Sequence, residues 1–421
     1  MAVDLIGAVL RRKRPLDDAI DDHPELANLA ARDRAFARLL VATVLRRQGQ
    51  IDALIAHCLN TPLPPRAALI HDMLRLGIAQ LLFLRTPPHA AVATTVDLAG
   101  GRGFPTYKGL VNAVLRRLSL EGPGLVAGQD AARLDTPGWL WDEWARAYGE
   151  PVARAIATAH LKEAPLDITV RRDIEHWAKA LEAKILPTGT LRRTGGGAIM
   201  SLPGYQEGAW WVQDAAAAMP AMLFGPIAGR VVFDLCAAPG GKTAQLAAAG
   251  GKVTAIDRSP RRLHRLKANL ARLHLEAECL AADAGTWQPQ EPAPFVLLDA
   301  PCTATGAIRR HPDVPHLKTP DDVARLAVVQ ERLLDAAVRL LAPGGTLIYC
   351  TCSLEPEEGV KQVEKLLARD AKVRRKPVAA AEIGGLAECV SAAGDLRTLP
   401  CHLAEMDGLD GFYAARLVRA E

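Results

Sequence analysis

Four short apolar runs in the second half of the chain place the strongest constraint on its fold. They span residues 231–235, 253–257, 295–299 and 346–350, and helical stretches separate them. Runs of this kind are typical of strands that are buried on both faces, as in parallel sheets whose connections are helices. The pattern therefore predicts a doubly wound α/β domain. In such a sheet, ligands bind at the carboxyl ends of the strands.

The first apolar run leads into a glycine-rich segment, Cys236-Ala237-Ala238-Pro239-Gly240-Gly241-Lys242-Thr243. Two glycines let the backbone approach a ligand, and a helix that begins there favours a negative group at its N-terminus. The Gly-Lys-Thr ending also suggests a P-loop. That motif requires a glycine where this chain has Cys236, and Pro239 stiffens the loop further, so a nucleoside triphosphatase is not expected.

Carboxylates follow the next strands. Asp257 ends the second run, about 20 residues past the glycine-rich loop, where a carboxylate can accept both hydroxyls of a ribose. Asp283 ends a possible third strand and is placed to reach an adenine amino group. These positions favour a cofactor that contains a nucleoside.

Two cysteines follow the last pair of strands. Cys302 lies just beyond Asp299, and Cys352 lies just beyond Cys350. Adjacent strand ends would bring Cys302 and Cys352 to the same cleft, where they could form a redox pair or serve as a nucleophile and a helper. A metal site is not expected, because only Cys350-Thr351-Cys352 and Cys401-His402 are closely spaced and there is no second C-x-x-C.

The front of the chain is basic and helical. Residues 1–120 hold 16 Lys and Arg against 10 Asp and Glu, whereas the remainder holds 35 against 37. A helix over residues 32–47 would carry an apolar face opposite its arginines, formed by Phe36, Leu39, Leu40, Thr43 and Val44. A basic helical module predicts a polyanionic partner, with Arg34 and Arg38 as candidate contacts, although a solvated arginine-rich surface explains the charge equally well.

The length of 421 residues allows two or three domains. Residues 122–124, Gly-Pro-Gly, are expected to end the helical front, and a small α/β segment begins near Pro165. The predicted domains are 1–125, 126–208 and 209–421. No apolar run is long enough to cross a bilayer, and the first residues do not have the charge order of a signal peptide, so a cytoplasmic protein is expected. A monomer is the default expectation.

Three motifs carry a family resemblance. The run beginning at Cys236, the segment Asp299-Ala300-Pro301-Cys302 and the segment Thr351-Cys352-Ser353 resemble the signature motifs of RNA cytosine C5-methyltransferases that use S-adenosylmethionine. Three further features resemble the bacterial RsmB (Sun) subfamily. They are the NusB-like front, Ile-Arg-Arg-His-Pro-Asp at 308–313 and Asp-Gly-Phe-Tyr at 410–413. The likeness implies an all-α NusB-like bundle, a small α/β subdomain and a Rossmann-like class I methyltransferase domain.

The resemblance also implies roles for individual residues. Cys352 would be the nucleophile that adds to C6 of cytosine, Cys302 would help to release the product, and Asp299 would bind the cytosine edge around N3. Lys242 would orient catalytic groups or contact the cofactor. The implied S-adenosylmethionine contacts are Cys236, Ala237, Ala238, Pro239, Gly240, Gly241, Lys242, Asp257, Asp283 and Asp299. Phosphates flanking the target base would be held by Arg309, Arg310 and His311.

The implied substrate is a cytosine in small-subunit ribosomal RNA. Transfer RNA is an alternative substrate, and a catalytically silent RNA-binding assembly factor is an alternative function. A protein without catalytic activity is disfavoured, because the residues expected to carry the reaction are all present: Cys302, Cys352, Lys242 and Asp299. The chain departs from the family in two segments that often carry Asn, since it has Val-Arg-Arg-Asp at 170–173 and Glu-Pro-Glu-Glu-Gly at 355–359.

Overall fold

The computed structural model describes residues 1–26 and 28–421, which form two compact units. Unit 1 comprises Met1–Glu163 and Ile308–Lys318, and unit 2 comprises Ala164–Ala307 and Thr319–Glu421. The boundary between the two units, near residue 163, lies within the predicted segment 126–208. In the described part of the chain, no helix has both the length and the apolar character needed to cross a membrane.

Unit 1 is built from helices, as predicted for the front of the chain. They are α1 (Ala2–Leu10), α2 (Leu16–Asp21), α3 (Ala31–Arg46), α4 (Gln48–Cys58), α5 (Ala68–Ile78), α6 (Pro88–Gly101), α7 (Lys108–Ala127), α8 (Ala131–Leu134), α9 (Gly138–Tyr148), α10 (Glu150–His160) and α15 (Val314–Leu317). A π-turn over Ala79–Phe83 extends α5. The apolar sides of α1 and α3 to α7 share one core.

The predicted apolar face of α3 is correct only in its second half. Leu40, Thr43 and Val44 are buried, whereas Phe36 is 46% exposed and Leu39 is 37% exposed. The start of α3 therefore presents an aromatic ring and a leucine to solvent among its arginines. Helical periodicity identifies which residues share a face, but only tertiary packing determines how much of that face is covered.

The Gly-Pro-Gly segment does not end the helical front, because α7 continues through Pro123 to Ala127. Gly122 is buried, and a Cβ atom there would lie 2.8 Å from the Leu82 side chain, so packing against Leu82 holds this turn in place. The tryptophan-rich stretch that follows forms α9, where Trp141 and Trp144 are buried. It belongs to unit 1 rather than to a separate linker.

Residues 308–318 also belong to unit 1, although the chain reaches them from the strand that carries Asp299. Asp313 Oδ2 accepts the Leu16 N–H at 2.8 Å, at the start of α2. Arg46 Nη2 of α3 donates to the Arg309 carbonyl at 2.9 Å, and His316 Nε2 lies 2.8 Å from the Leu45 carbonyl. This short segment is thus an integral part of the helical unit.

Unit 2 begins with a small antiparallel sheet in the order β2-β3-β1-β4, around α11 (Ile174–Ala180). Its strands are β1 (Leu166–Val170), β2 (Lys184–Ile185), β3 (Leu191–Arg193) and β4 (Trp210–Val212). A buried ion pair fixes β1 to β3, since Arg192 Nε and Nη2 each donate to the Asp167 carboxylate at 2.7 Å. Asp167 also accepts the Ala215 N–H at 3.1 Å, which ties this sheet to the helix that follows.

The second sheet of unit 2 confirms the predicted Rossmann-like fold. Its strands are β5 (Val231–Leu235), β6 (Lys252–Asp257), β7 (Glu278–Ala281), β8 (Ala293–Asp299), β9 (Leu341–Thr351), β10 (Val373–Arg375), β11 (Leu396–Thr398) and β12 (Phe412–Arg419). The order is β10-β12-β9-β8-β5-β6-β7, with β11 also paired to β12. Strands β5 to β9 are parallel, and β12 pairs antiparallel with β9, β10 and β11.

Helices cover this sheet: α12 (Ala215–Met222), α13 (Gly241–Ala248), α14 (Pro260–Arg272), α16 (Pro320–Leu340) and α17 (Val360–Arg369). The order of the parallel strands reverses at β5, because β6 lies on one side of it and β8 on the other. Such a switch point leaves a crevice at the carboxyl ends of the strands. The glycine-rich loop and the strand-end residues predicted from the sequence all lie at these ends.

Candidate active site

The glycine-rich loop connects β5 to α13 and is held in a tight conformation. Its backbone has positive φ at Cys236 (62°) and at Gly240 (105°). A Cβ atom on Gly240 would lie 2.7 Å from Leu266 Cγ, so only glycine fits at that position. The loop therefore reaches the N-terminus of α13 with its backbone close to the end of the sheet.

Asp257, the last residue of β6, anchors this loop. Its side chain accepts the Ala238 N–H at 3.2 Å and the Ser259 N–H at 2.9 Å, and it pairs with Arg262 Nη1 at 3.3 Å. Asp257 is 2% exposed. A carboxylate has about four lone-pair sites, so it can accept a further hydroxyl while it holds the loop.

Two more carboxylates lie on this part of the chain. Asp283 follows β7, accepts the Gly285 N–H at 2.8 Å and forms a partly exposed ion pair with Arg332 at 3.2 Å. Asp234, within β5, is fully buried and accepts the Thr243 hydroxyl at 2.6 Å through Oδ2. Its Oδ1 atom has no hydrogen-bond partner among the described residues. Burial raises the pKa of Asp234 to about 7.

Lys242 and Asp299 form the charged centre of the site. Lys242 Nζ donates to Asp299 Oδ2 at 2.8 Å and lies 4.6 Å from the centroid of the Phe412 ring. Burial alone would lower the pKa of Lys242, but the Asp299 carboxylate beside it raises that pKa above its usual range. Lys242 is therefore a fixed cation. Asp299 also accepts from Cys350 Sγ at 3.6 Å.

The two predicted cysteines meet at this site. Cys302 Sγ and Cys352 Sγ are 3.5 Å apart, both side chains are half-buried, and all cysteines of the chain are free. The hydrogen bond with Cys352 and burial raise the pKa of Cys302 well above its usual range. Lys242 interacts electrostatically with Cys352. Cys302 is therefore a neutral thiol, and Lys242 places a positive charge in the same site.

Backbone contacts hold the loops that carry the two cysteines. The Ala300 N–H donates to the Cys350 carbonyl at 2.9 Å, and the Gly306 N–H donates to the Cys352 carbonyl at 2.9 Å. Gly411 then donates to the Gly306 carbonyl at 2.8 Å, and a Cβ atom on Gly306 would lie 1.9 Å from the Gly411 oxygen. The Asp-Gly-Phe-Tyr segment near the C-terminus thus packs directly on the Cys302 loop, a contact that sequence reasoning missed.

Sequence reasoning also missed a buried acidic cluster beneath the cysteine loops. Glu355 and Glu358 are 1% and 0% exposed, although they lie in a stretch that reads as a charged turn. Glu355 Oε2 accepts the Thr305 hydroxyl and lies 3.1 Å from Ser353 Oγ. The sequence signal for this cluster was the presence of the hydroxyl residues Thr303, Thr305 and Ser353 close to the two cysteines.

Known proteins resemble the chain over its whole length. Residues 221–418 match the family model described as 16S rRNA methyltransferase RsmB/F, and residues 1–119 match the NusB family. Ribosomal RNA small subunit methyltransferase B of Cronobacter sakazakii is 33% identical over 100% of this chain and 98% of its own length. The protein of that name in Pseudomonas putida is 36% identical over 99% of this chain and 97% of its own length.

The chain belongs to the RsmB/F family of 16S rRNA methyltransferases. A solved structure also shares its fold, namely a methyltransferase homologue from Pyrococcus horikoshii. That structure is 28% identical, has a TM-score of 0.56, and covers 66% of this chain and 93% of its own. For this RsmB/F member, the structure brings together Lys242, Asp299, Cys302 and Cys352 at the ends of β8 and β9.

The residues predicted to bind RNA lie in unit 1, and one of them does not fit that prediction. Arg309 is only 2% exposed, so its guanidinium is packed inside the unit rather than presented to phosphates. Arg34 and Arg38 are exposed on α3. Arg38 Nη1 and His311 Nδ1 share the Asp17 carboxylate, at 2.5 Å and 3.6 Å. The structure thus groups Arg38 with His311.

The buried carboxyl of Asp234 predicts a pH-dependent stability. Its pKa is about 7 in the folded protein against 3.8 as an ordinary carboxyl, so the folded state retains a proton that the unfolded chain loses. The free energy of unfolding should therefore fall as pH rises from about 4 to about 7. Asp234→Asn keeps an oxygen for Thr243 and removes this dependence.

Urea unfolding of the wild type and of Asp234→Asn at pH 5 and pH 7.5 measures the effect. The wild type should lose more stability than the variant between the two values. Equal losses would mean that Asp234 does not hold a proton in the folded state.

Proposed function

We propose that this chain transfers a methyl group from S-adenosylmethionine to C5 of a cytosine in 16S ribosomal RNA, through a covalent bond between Cys352 and C6 of the base. The observation that carries this proposal is the pair of free thiols 3.5 Å apart beside the Lys242–Asp299 ion pair. Membership of the RsmB/F family and the names of the full-length relatives support the choice of RNA.

The residues at the strand ends fit the cofactor. S-adenosylmethionine supplies an electrophilic methyl group on a positively charged sulfonium. The crevice offers the glycine-rich loop, the carboxylates of Asp257, Asp283 and Asp299, and the unpaired Oδ1 atom of Asp234. Hydroxyls and ammonium groups need such acceptors, and negative charge suits a cationic ligand. Asp257 would hold the ribose, Asp283 the adenine end, and residues 236–242 the methionine portion.

Cys352 would start the reaction. C5 of cytosine is a poor nucleophile until a thiolate has added to C6, which pushes an electron pair towards C5. The thiolate is the attacking form of a cysteine, and Lys242 places a positive charge near Cys352. Asp299 would meet the cytosine edge around N3. A proton taken up at N3 stabilises the charge that develops in the adduct, and the Asp299 carboxylate would accept a hydrogen bond from that N3–H. Lys242 would keep Asp299 in place through their 2.8 Å contact.

Cys302 would end the reaction. Once the methyl group is on C5, a base removes the C5 proton, the bond between Cys352 sulfur and C6 breaks, and the ring regains its double bond. The departing sulfur needs a proton or another partner. The neutral thiol of Cys302 lies 3.5 Å from it and can donate a hydrogen bond to the sulfur as it leaves as a thiolate. This scheme gives the two cysteines different tasks.

Unit 1 would bind the RNA. Arg34 and Arg38 are exposed beside the uncovered Phe36 ring, and His311 shares a carboxylate with Arg38. Arginines hold phosphates, and an exposed aromatic ring offers a stacking surface for an unpaired base. A target base that is single-stranded or flipped could enter the cysteine site in unit 2. The proposed setting is the cytoplasm, with the chain acting as a monomer.

Replacing Cys302 tests the two cysteine roles. In Cys302→Ala, attack by Cys352 remains possible but release is impaired, so a covalent protein–RNA complex should accumulate. The complex is measured by denaturing electrophoresis after incubation with S-adenosylmethionine and 16S RNA. Cys352→Ala should give no complex, and Cys279→Ala, which alters another half-buried thiol of unit 2, should behave like the wild type. If Cys352→Ala traps RNA and Cys302→Ala does not, the two roles are exchanged.

The salt dependence of RNA binding tests whether the arginines of α3 contact phosphates. Each phosphate contact that is lost should make the dependence of log affinity on log salt shallower by about 0.7 for single-stranded RNA. The double variant Arg34→Ala/Arg38→Ala should bind RNA more weakly than the wild type and with a shallower slope, in filter-binding titrations from low to high salt. The matched control is Arg146→Ala/Arg154→Ala, which removes two exposed arginines of the same unit. An unchanged slope of log affinity against log salt in the α3 variant would show that RNA binds at another surface.

A further inference from the structure

Glu358 lies between the two cysteine loops and is completely buried. It closes the turn Pro356–Glu358 after β9, just before α17. Its side chain points into the protein, although its neighbour Glu357 is only half-buried and pairs with Lys361. A buried carboxylate is costly unless hydrogen bonds compensate for the loss of water. Its position therefore requires a specific set of donors.

The donors come from both cysteine loops. Glu358 Oε1 accepts the Thr303 N–H at 3.0 Å, and Oε2 accepts the Ser353 hydroxyl at 2.6 Å and also the Thr303 hydroxyl. Thr303 directly follows Cys302, and Ser353 directly follows Cys352. The fourth donor is Gln330 Nε2 of α16, at 3.0 Å from Oε1. Four donors match the four lone-pair sites of a carboxylate.

The main chain of Glu358 is fixed as well. Its carbonyl accepts the Tyr349 hydroxyl at 2.7 Å, and Gln330 Nε2 also donates to the Pro301 carbonyl at 2.9 Å. Glu358 is therefore held by β9 through its main-chain carbonyl and by α16 through its carboxylate. A group held this firmly can set the position of the loops that it contacts.

We propose that Glu358 is a positioning residue that sets the separation of the Cys302 and Cys352 thiols by binding the residue after each of them. The inference rests on the proposed function, because it assigns Glu358 to the same reaction. Glu358 touches neither the base nor the cofactor in this scheme. It acts through Thr303 and Ser353, and its loss lets the two loops move independently.

The charge of Glu358 adds a second effect on the same pair. It contributes, after the contact with Cys352 and after burial, to the raised pKa of Cys302. Lys242 interacts electrostatically with Cys352. Any test must therefore separate the reach of the Glu358 side chain from its charge.

Glu358→Asp makes that separation. It keeps the charge but shortens the side chain by one methylene, so one carboxylate can no longer reach both loops. The kcat for methyl transfer should fall roughly 10- to 100-fold, since a displacement of about 1 Å of a catalytic group costs that much. The KM for RNA and the Kd for S-adenosylmethionine should stay within about two-fold, because the cofactor loop and unit 1 are untouched. Glu357→Asp is the matched control and should behave like the wild type.

A second readout needs no RNA. In diamide, the two thiols form a disulfide as they pass two electrons and two protons to the reagent, and the rate depends on how often the sulfurs meet. Peptide mapping should show rapid formation of the Cys302–Cys352 disulfide in the wild type and in Glu357→Asp, and formation about ten-fold slower in Glu358→Asp. This measurement still reports on Glu358 if the chain methylates a different RNA or none.

The outcomes discriminate clearly. Normal kcat and normal disulfide formation in Glu358→Asp would overturn the proposal. Loss of cofactor binding together with a large drop in Tm would show a general structural role and would also overturn it. Ser353→Ala removes one tether and leaves the carboxylate in place, so it should lower kcat and slow disulfide formation in the same direction. A Ser353→Ala protein with wild-type kcat and a wild-type rate of disulfide formation would contradict the positioning role of Glu358.

Discussion

The pairing of β8 with β9 is the constraint on which the site depends. The two strands are parallel neighbours with Asp299 opposite Cys350, so the loops that follow them leave the sheet side by side. The Ala300–Cys350 and Gly306–Cys352 backbone hydrogen bonds continue this pairing beyond the strands. Cys302 and Cys352 are 50 residues apart in the chain and still meet at 3.5 Å. A shift of one residue in this register would turn the reactive side chains to opposite faces.

Charge then distinguishes two residues that are chemically identical. The Lys242 cation, held by Asp299 and resting on the Phe412 ring, acts on Cys352. The buried Glu358 carboxylate contributes to keeping Cys302 protonated. In the proposed mechanism, Lys242 supplies the positive charge that acts on the nucleophile Cys352, and Glu358 helps to keep Cys302 a hydrogen-bond donor. The fold supplies both charges from neighbouring elements, since Lys242 lies on α13 and Glu358 follows β9.

Sequence reasoning predicted the elements whose signal is local. The apolar runs predicted β5, β6, β8 and β9, and the residues at their ends are where that prediction put them. It failed where distant contacts decide the outcome. Glu358 reads as part of an exposed acidic turn until it meets Thr303, 55 residues earlier in the chain. Arg309 reads as a surface arginine, but its segment packs against Arg46, 263 residues away.

The most direct test of the account is transfer of labelled methyl from S-adenosylmethionine to small-subunit RNA from cells that lack this protein, followed by bisulfite sequencing. The wild type should protect one new cytosine, and Cys352→Ala should protect none while it still binds the cofactor. Transfer that persists in Cys352→Ala would contradict the assignment of the nucleophile. Wild-type protein that binds the cofactor but leaves this RNA unmodified, and modifies transfer RNA instead, would contradict the proposed substrate.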